Sequence, residues 1–273
     1  ENKEAILEIK TDKITYTIPA SQINIDNVSS QIGKQVELKD ITVNIKVAES
    51  SQEIVNIVEN TANKNNYQIV LRPIDFEITC TSDNKAVEVS KFNAYVERMI
   101  AIPKGIDPNK ITTGIVLNAD GTFSHVPTVI TIIGGRYYAK ISSLTNSAYS
   151  VVWHPLTFKD AEDHWAKDAI NEMGSRMVIN GTGGNRFEPD RDISRAEFAA
   201  VLIQVMGIND TVAAFNGKTP FKDVPEKHWA VPYINAAYQF GIIKGDESGN
   251  FFPDEEITYE QAVKALVSTL GYD

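Results

Sequence analysis

The sequence is poor in the residues that covalent cross-links and membrane spans require. Its 273 residues contain a single cysteine, Cys80, which excludes an intramolecular disulfide and a metal site built from several cysteines. Cys80 lies in an alternating, strand-like segment, and we expect it to be a buried structural thiol. No apolar run approaches the roughly 18 residues that a membrane helix needs, so we expect no membrane insertion.

The sequence also lacks a signal-peptide pattern and a basic cluster. Residues 1–4 are largely charged, so we expect a secreted protein to be present here in mature or trimmed form. The formal net charge is -10, and binding to nucleic acid needs clustered Lys and Arg, so we expect no nucleic-acid partner. From residue 158 onward, 11 Lys and Arg face 19 Asp and Glu, a net of -8, which leaves -2 for everything before. The acidity therefore belongs to the C-terminal part.

Motifs of catalysis and metal binding are missing. The sequence has no Gly-x-Ser-x-Gly, no His-Glu-x-x-His and no phosphate-binding loop. An acidic chain offers many carboxylates, so a carboxylate pair is no signal of a glycosidase. A calcium loop that starts at Asp246 would need glycine at position six, where Phe251 stands. We therefore predict no enzyme activity, no cofactor and no metal site on this chain.

Residues 1–152 have the pattern of β-structure. One helix is predicted at 51–63, with Ile54, Val55 and Val58 as its apolar stripe. Alternating or β-branched segments separated by turn-forming residues lie at 14–18, 41–47, 67–71, 126–133 and 137–141. This spacing predicts an antiparallel β-sandwich-like region of one or two packed modules, without a recognisable ligand motif.

After about residue 153 the chain becomes helical and repeats itself. Phe158-Lys-Asp-Ala recurs from Phe221 as Phe-Lys-Asp-Val, and His-Trp-Ala at 164–166 recurs at 228–230. From there the two copies stay in register at an offset of 64, so that Gly181 corresponds to Gly245. Each copy is typical of a helix, a loop and a second helix.

The ends of these helices are also encoded in the sequence. Ser194 with Glu197, and Thr258 with Gln261, fit capping boxes at the starts of the second helices. Gly241 is suited to end the first helix of the second copy, whereas the first copy has Met177 there, so we expect that helix to end differently. We expect Trp165 and Trp229 to begin the apolar faces of the first helices.

Together the motifs Phe-x-Asp-Val, His-Trp-Ala, a central Gly, Phe-x-Pro-Asp and Ile-Ser/Thr-Arg-Ala-Glu resemble the S-layer homology repeat. The resemblance covers about 40% of the chain. It implies helix-loop-helix repeats at 158–210 and 221–273, which with the β-sandwich-like region predicted at 1–152 make a multi-domain α+β protein. The family commonly forms a three-sided prism of three repeats, so a third has been lost, lies outside this sequence or comes from a partner chain.

The resemblance also implies a function. Such repeats bind secondary cell wall polysaccharides, often pyruvylated, so we expect non-covalent anchoring and an extracellular location at the cell surface or cell wall. The alternative is assembly with other surface-layer proteins through protein–protein contacts, without glycan. An enzyme domain, if the parent protein has one, would lie elsewhere.

Arg195 is the strongest candidate for contact with such a ligand. Helix capping requires no arginine there, and a guanidinium grips a carboxylate bidentately beside the free N–H groups of a helix start. The structural alternative is an ion pair with Asp192. The second copy has Tyr259 instead, so we expect unequal sites.

The other candidates come in repeat-related pairs. Each has a structural alternative: helix capping for the aspartates, core packing for the tryptophans and tight turns for the glycines. The polysaccharide-binding residues predicted in addition to Arg195 are Asp160, Trp165, Gly181, Asp223, Trp229 and Gly245.

Overall fold

The computed structural model describes residues 4–32, 37–118, 120–208 and 212–271. The chain divides into two compact units, Glu1–His154 and Pro155–Asp273. The first unit is built from strands and the second from helices and turns, as the change in sequence character indicates.

Two antiparallel sheets make up the first unit. The strands are β1 Ile6–Lys10, β2 Ile14–Pro19, β3 Thr42–Glu49, β4 Gln68–Ser82, β5 Lys85–Glu88, β6 Lys91–Ala101, β7 Thr113–Leu117, β8 Phe123–Val126, β9 Thr128–Ile133, β10 Arg136–Thr145 and β11 Ala148–Trp153. One sheet has the order β1-β2-β6-β10-β9, and the other has the order β3-β4-β11-β7-β8 with β5 beside β4. Two helices accompany them, α1 Ile25–Ile32 and α2 Gln52–Lys64.

One apolar core is shared by residues of both sheets. Along β4, alternate side chains such as Phe76, Ile78 and Cys80 are buried, as a period of two requires. The Phe76 ring packs edge-on against Tyr16 of the other sheet, at a centroid distance of 5.0 Å. Burial raises the pKa of the Cys80 thiol, which fits its expected structural role.

The sequence predicted antiparallel sheets for this unit, and the structure confirms them. It also contains the expected helix α2, which buries Val55 and Val58. The segment predicted as one strand at 126–133 is instead divided at Pro127, so that β8 lies in one sheet and β9 in the other. Proline lacks the N–H of a continuous ladder, which accounts for the break.

Helices frame the described part of the second unit. They are α3 Lys167–Ser175, α4 Arg195–Val205, α5 Val231–Gln239 and α6 Tyr259–Thr269. Both predicted capping boxes are present: Ser194 with Glu197 begins α4, and Thr258 with Gln261 begins α6. No helix in the described part of the chain is long and apolar enough to cross a membrane.

Two expectations for this unit were wrong. Met177 has φ 62°, close to the 71° of Gly241, so the first helices of both copies end with a left-handed residue. Trp165 and Trp229 precede α3 and α5 and are 92% and 56% exposed, so neither begins the apolar face of its helix. On α3, Ile170 is buried.

The two copies are joined through the start of α4. Its backbone N–H groups at Arg195 and Ala196 donate to the carbonyls of Glu255 and Pro253, and Ile257 N–H donates to Ile193. Ala196, Ala199, Leu202 and Ile203 of α4 are buried. The second copy therefore covers the helix that the first copy presents.

Candidate ligand-binding cleft between the repeats

Arg195 reaches from the first copy into the second. Its Nε donates to the Phe251 carbonyl at 2.7 Å, and its Nη1 donates to Gln261 Oε1 at 2.7 Å. Its Nη2 donates to the Lys244 carbonyl at 3.3 Å, and Cζ lies 5.0 Å from the centroid of the Phe251 ring. The side chain is thus held by the second copy, and the expected alternative of an ion pair with Asp192 does not describe its contacts.

The buried position of Arg195 shapes its chemistry. Burial lowers the pKa of its guanidinium, while the nearby carboxylates of Glu255 and Asp223 act in the opposite direction. An arginine nevertheless stays protonated at neutral pH. Of its five N–H bonds, three are used by these carbonyl and amide oxygens, and one N–H on each Nη is not used by them.

A cleft of about 570 Å³ lies beside this guanidinium. Lysines 244 and 264 border it together with Arg195, whereas Asp246 is the single carboxylate on its lining. The cleft is lined by Arg195, Gly241, Ile242, Ile243, Lys244, Gly245, Asp246, Phe252, Ile257, Gln261, Lys264, Ala265 and Ser268. The described lining thus carries three cationic groups and one carboxylate, and the carboxylates of Glu255 and Asp223 lie close to Arg195.

Asp160 and Asp223 hold corresponding loops in the two copies. The Asp160 carboxylate accepts from the N–H groups of Phe187 and Glu188, and Asp223 accepts from those of Phe251 and Phe252. Burial alone raises the pKa of Asp160, but these donors outweigh it and the net shift is downward. Each aspartate thus has a clear structural task, and its predicted contact with a ligand stays a prediction.

Gly181 and Gly245 are places where backbone segments approach closely. A Cβ on Gly181 would lie 2.5 Å from the Arg186 carbonyl oxygen, and one on Gly245 would lie 2.5 Å from that of Asn250. Neither position tolerates a side chain without a backbone shift. Of the two, Gly245 also lines the cleft beside Arg195.

Trp165 and Trp229 both present indole to solvent, to different degrees. Trp165 is 92% exposed and Trp229 is 56% exposed. Trp229 lies next to Tyr233, with centroids 6.2 Å apart, which accounts for part of its lower exposure. Both indoles are available for stacking, although neither lines the cleft, so their role as sugar contacts stays a prediction.

The histidines before these tryptophans are structural supports. His164 Nδ1 accepts from Ala166 N–H, and its Nε2 lies 3.4 Å from Asp190. His228 repeats this arrangement with Ala230 and with Asp254 at 3.5 Å. These bonds fix the turn that carries each tryptophan.

Of the predicted site residues, the structure brings Arg195 and Gly245 together at the cleft. Asp223 does not line the cleft. It accepts a hydrogen bond from the Phe251 N–H, and the Phe251 carbonyl in turn accepts one from Arg195. Sequence reasoning missed Lys264, Ser268 and the contact of Gln261. The spacing of these residues in the sequence could have indicated them, because positions 261, 264 and 268 lie on one face of α6.

The position that corresponds to Arg195 in the second copy has a different environment, and the expected inequality of the two sites stays a prediction. Tyr259, which corresponds to Arg195 in the repeat register, is 81% exposed at the start of α6.

In the described residues, no group of three or more His, Cys, Asp or Glu side chains is placed to hold a metal ion.

Comparison with known families identifies the second unit. The sequence model of the S-layer homology domain matches residues 157–199 and 220–263. These segments include Arg195 and the cleft residues from Gly241 to Gln261. The chain therefore carries two S-layer homology repeats.

Similar proteins extend this identification. The chain is 29% identical to an amylopullulanase of Thermoanaerobacterium thermosulfurigenes, over 95% of this chain and 14% of that protein. It is 37% identical to an exoglucanase of Acetivibrio thermocellus, over 43% of this chain and 10% of that protein. A surface layer protein of Brevibacillus choshinensis is 26% identical, over 49% of this chain and 12% of that protein. The chain thus spans a small fraction of the length of each.

The repeats and these relatives together indicate a location at the bacterial cell surface or cell wall. They support a part in attaching a protein there. Enzymes and surface layer proteins are both among these relatives, so the presence of the repeats does not by itself indicate a particular catalysed reaction.

Proposed function

We propose, from the two S-layer homology repeats of the C-terminal unit, that this chain anchors a surface protein non-covalently to a secondary cell wall polysaccharide. The ligand is an anionic glycan, such as one bearing pyruvyl carboxylates. The chain itself acts by binding, and any catalytic domain of the whole protein lies outside it. The N-terminal sheets serve as a sandwich-like spacer.

The cationic cleft between the repeats carries this proposal. Arg195 has two N–H groups that its contacts with the second copy do not use, in a fixed, mostly buried position, and a carboxylate can accept both. Lys244 and Lys264 add mobile positive charge at the rim. A carboxylate is the group that this arrangement complements, and a sugar bearing one fits a cleft of about 570 Å³.

The negative net charge of the unit limits the affinity. With a net of -8 over the second unit, long-range attraction does not draw in an anionic polymer, so recognition depends on short-range contacts. Binding at each cleft should be weak, and several clefts on one polymer should add by avidity.

The test is sedimentation of the chain with purified cell walls, before and after chemical removal of the secondary polysaccharide. Lys264→Gln is the informative variant, because it removes one rim charge and leaves the buried contacts of Arg195 intact. Lys159→Gln is the matched control, since Lys159 is exposed and lies outside the cleft. We expect wall binding that is lost on stripping and weakened several-fold by Lys264→Gln alone.

Equal binding to stripped and intact walls would contradict glycan recognition. Equal binding by both lysine variants would contradict the cleft as the place where the glycan binds. Arg195→Ala supplements the series only when urea unfolding shows that the unit remains folded, because Arg195 also joins the repeats.

A second function is supported by the outer surface of α6. Val263, Leu266 and Val267 of α6 are 39%, 48% and 38% exposed, its C-cap residue Leu270 is 74% exposed, and Ala265 is the buried residue of that helix. Such an apolar surface suits contact with another protein, as in lattice assembly. In that case sedimentation would depend on protein concentration and would not change when the polysaccharide is removed. It would fall in the double variant Leu266→Gln/Leu270→Gln.

A further inference from the structure

A second cleft lies in the C-terminal unit, away from the arginine. It has a volume of about 600 Å³ and shares no lining residue with the cleft of Arg195. One wall comes from the segment between the repeats and the other from α5. The lining residues are Ala214, Phe215, Asn216, Lys218, Thr219, Pro220, Asn235, Tyr238 and Gln239.

Aromatic rings form the body of this cleft. Tyr238 is 46% exposed, and the adjacent Phe240 is 43% exposed. The Tyr238 ring is held edge-on by Phe221 at a centroid distance of 5.2 Å, and Phe215 lies 6.0 Å from Phe240. The rings are therefore fixed in place while part of their surface faces solvent.

The wall between the repeats is held in position by an amide. Asn235 Nδ2 donates to the Phe215 carbonyl at 2.8 Å, and Thr219 Oγ1 accepts from Phe221 N–H at 3.3 Å. These bonds tie both ends of the connecting segment to the second repeat. The cleft is thus a built feature of this segment.

The corresponding position of the first repeat is closely packed. Tyr238 corresponds to Gly174, where an added Cβ would meet Phe158 at 2.7 Å and Leu156 at 3.1 Å. Leu156 is fixed there by hydrogen bonds in both directions with Ser175. At the position that corresponds to Tyr238, apolar side chains of the first repeat therefore pack directly against α3.

The lining chemistry selects the class of ligand. Aromatic surface stacks on the C–H face of a pyranose, and the carboxamides of Asn216 and Gln239 at the rim can bond its hydroxyls. Among the described residues, the lining contains one cation, Lys218, and no carboxylate. This combination differs from the cationic Arg195 cleft and suits an uncharged ring.

We propose that this cleft binds a neutral pyranose unit of an oligosaccharide. It would add a second contact, independent of the carboxylate-binding cleft, for a wall glycan that contains uncharged sugars. Two weak contacts on one polymer increase the overall affinity through effective concentration.

The experiment is a titration of the isotope-labelled full chain with maltotriose, xylotriose and chitotriose, followed by amide chemical shifts. The range should extend to about 10 mM, because one stacked ring gives only weak binding. We expect at least one sugar to shift the amides of 213–220 and 235–239 while those around Arg195 stay unchanged. Tyr238→Ala should weaken binding by about tenfold.

Two further variants test whether the chemical-shift changes come from binding in this cleft. Ala214 is exposed on the cleft wall, so Ala214→Trp fills the cleft without removing a packing contact and should abolish the shifts. Tyr259→Ala, a change to an exposed tyrosine elsewhere, should leave them unchanged. The proposal is overturned if none of the three sugars shifts these amides, or if binding survives in Ala214→Trp. Failure of Arg195-dependent wall binding would leave this titration unaffected, so the two proposals are separable.

Discussion

Arg195 and Gln261 join the two repeats through one oxygen atom. Gln261 Oε1 accepts the Nη1–H of Arg195 at 2.7 Å and also the backbone N–H of Thr258 at 3.3 Å. The same atom therefore completes the cap of α6 and connects it to the start of α4. Through this shared acceptor, the geometry of the cleft depends on the helix cap.

Arg195→Lys should loosen this junction. A lysine keeps the charge but cannot reproduce the fork that serves Phe251, Gln261 and Lys244 together. We expect the free energy of unfolding of the C-terminal unit to fall by about 2–3 kcal/mol, measured by urea denaturation. Arg191→Lys is the control, because Arg191 pairs with Glu188 and Glu197 at half-exposed positions, and its loss should cost about 1 kcal/mol or less.

Two glycines should respond differently to alanine. At Gly245 the added Cβ would meet a carbonyl oxygen and the Phe221 ring, both at 2.5 Å, so Gly245→Ala should destabilise by about 2–3 kcal/mol through overpacking. At Gly241, where φ is 71° and the space is open, only the left-handed backbone opposes a side chain, which costs about 1 kcal/mol. Thermal unfolding of both variants measures the difference, and a larger loss at Gly241 would contradict the packing argument.

The Asp160 carboxylate should make the first repeat sensitive to acid. Its pKa is lowered in the folded state, so its contribution is complete above the unfolded pKa and disappears as the pH falls through the folded value. Asp160→Asn should therefore destabilise strongly at neutral pH, and the difference from wild type should shrink below about pH 4. Melting temperatures between pH 7 and pH 3 test this. The exposed Asp163→Asn serves as the control, and a gap that grows in acid would contradict the assigned role.

Trp165→Ala should separate binding from stability. Since the indole is 92% exposed, its loss should change the free energy of unfolding by less than about 0.5 kcal/mol. If Trp165 stacks on a sugar, wall sedimentation should nevertheless fall. Trp229→Ala, at a half-buried position, should cost about 1 kcal/mol in stability. A Trp165 variant with unchanged stability and unchanged sedimentation would remove this residue from the site.

The N-terminal unit should depend on a buried cation. Arg98 is fully buried, with Cζ 4.5 Å from the Tyr149 ring centroid and 5.1 Å from those of Tyr16 and Phe76. Its guanidinium also donates to the carbonyls of Val96 and Thr145 and to Asn146 Oδ1.

Arg98→Met should leave these buried acceptors without their donor and cost about 3 kcal/mol in that unit. Near-ultraviolet circular dichroism during urea unfolding measures it. The exposed Arg72→Met should be nearly neutral, and similar losses in both variants would contradict the cost of unpaired buried acceptors.

The sequence by itself determined much of the local structure. Helix starts at Ser194 and Thr258 follow from capping chemistry, and strands such as β2 and β3 follow from alternation and β-branched residues. The repeat was also visible in the sequence, because two copies of one packing unit keep the same core and turn residues in register. These features depend on interactions over a few residues, which a one-dimensional pattern records.

Other features were decided only in the tertiary structure. Arg195 meets Phe251 and Gln261 across 56 and 66 residues of chain, and the cleft exists because those contacts hold the start of α4 against the second repeat. The left-handed Met177 and the exposed Trp165 likewise depend on what packs around them. The Tyr238 cleft also depends on how the segment between the repeats packs against α5. Each of these features depends on which groups, distant in the sequence, pack together in space. Hydrophobic periodicity and helix or strand propensity do not specify that packing.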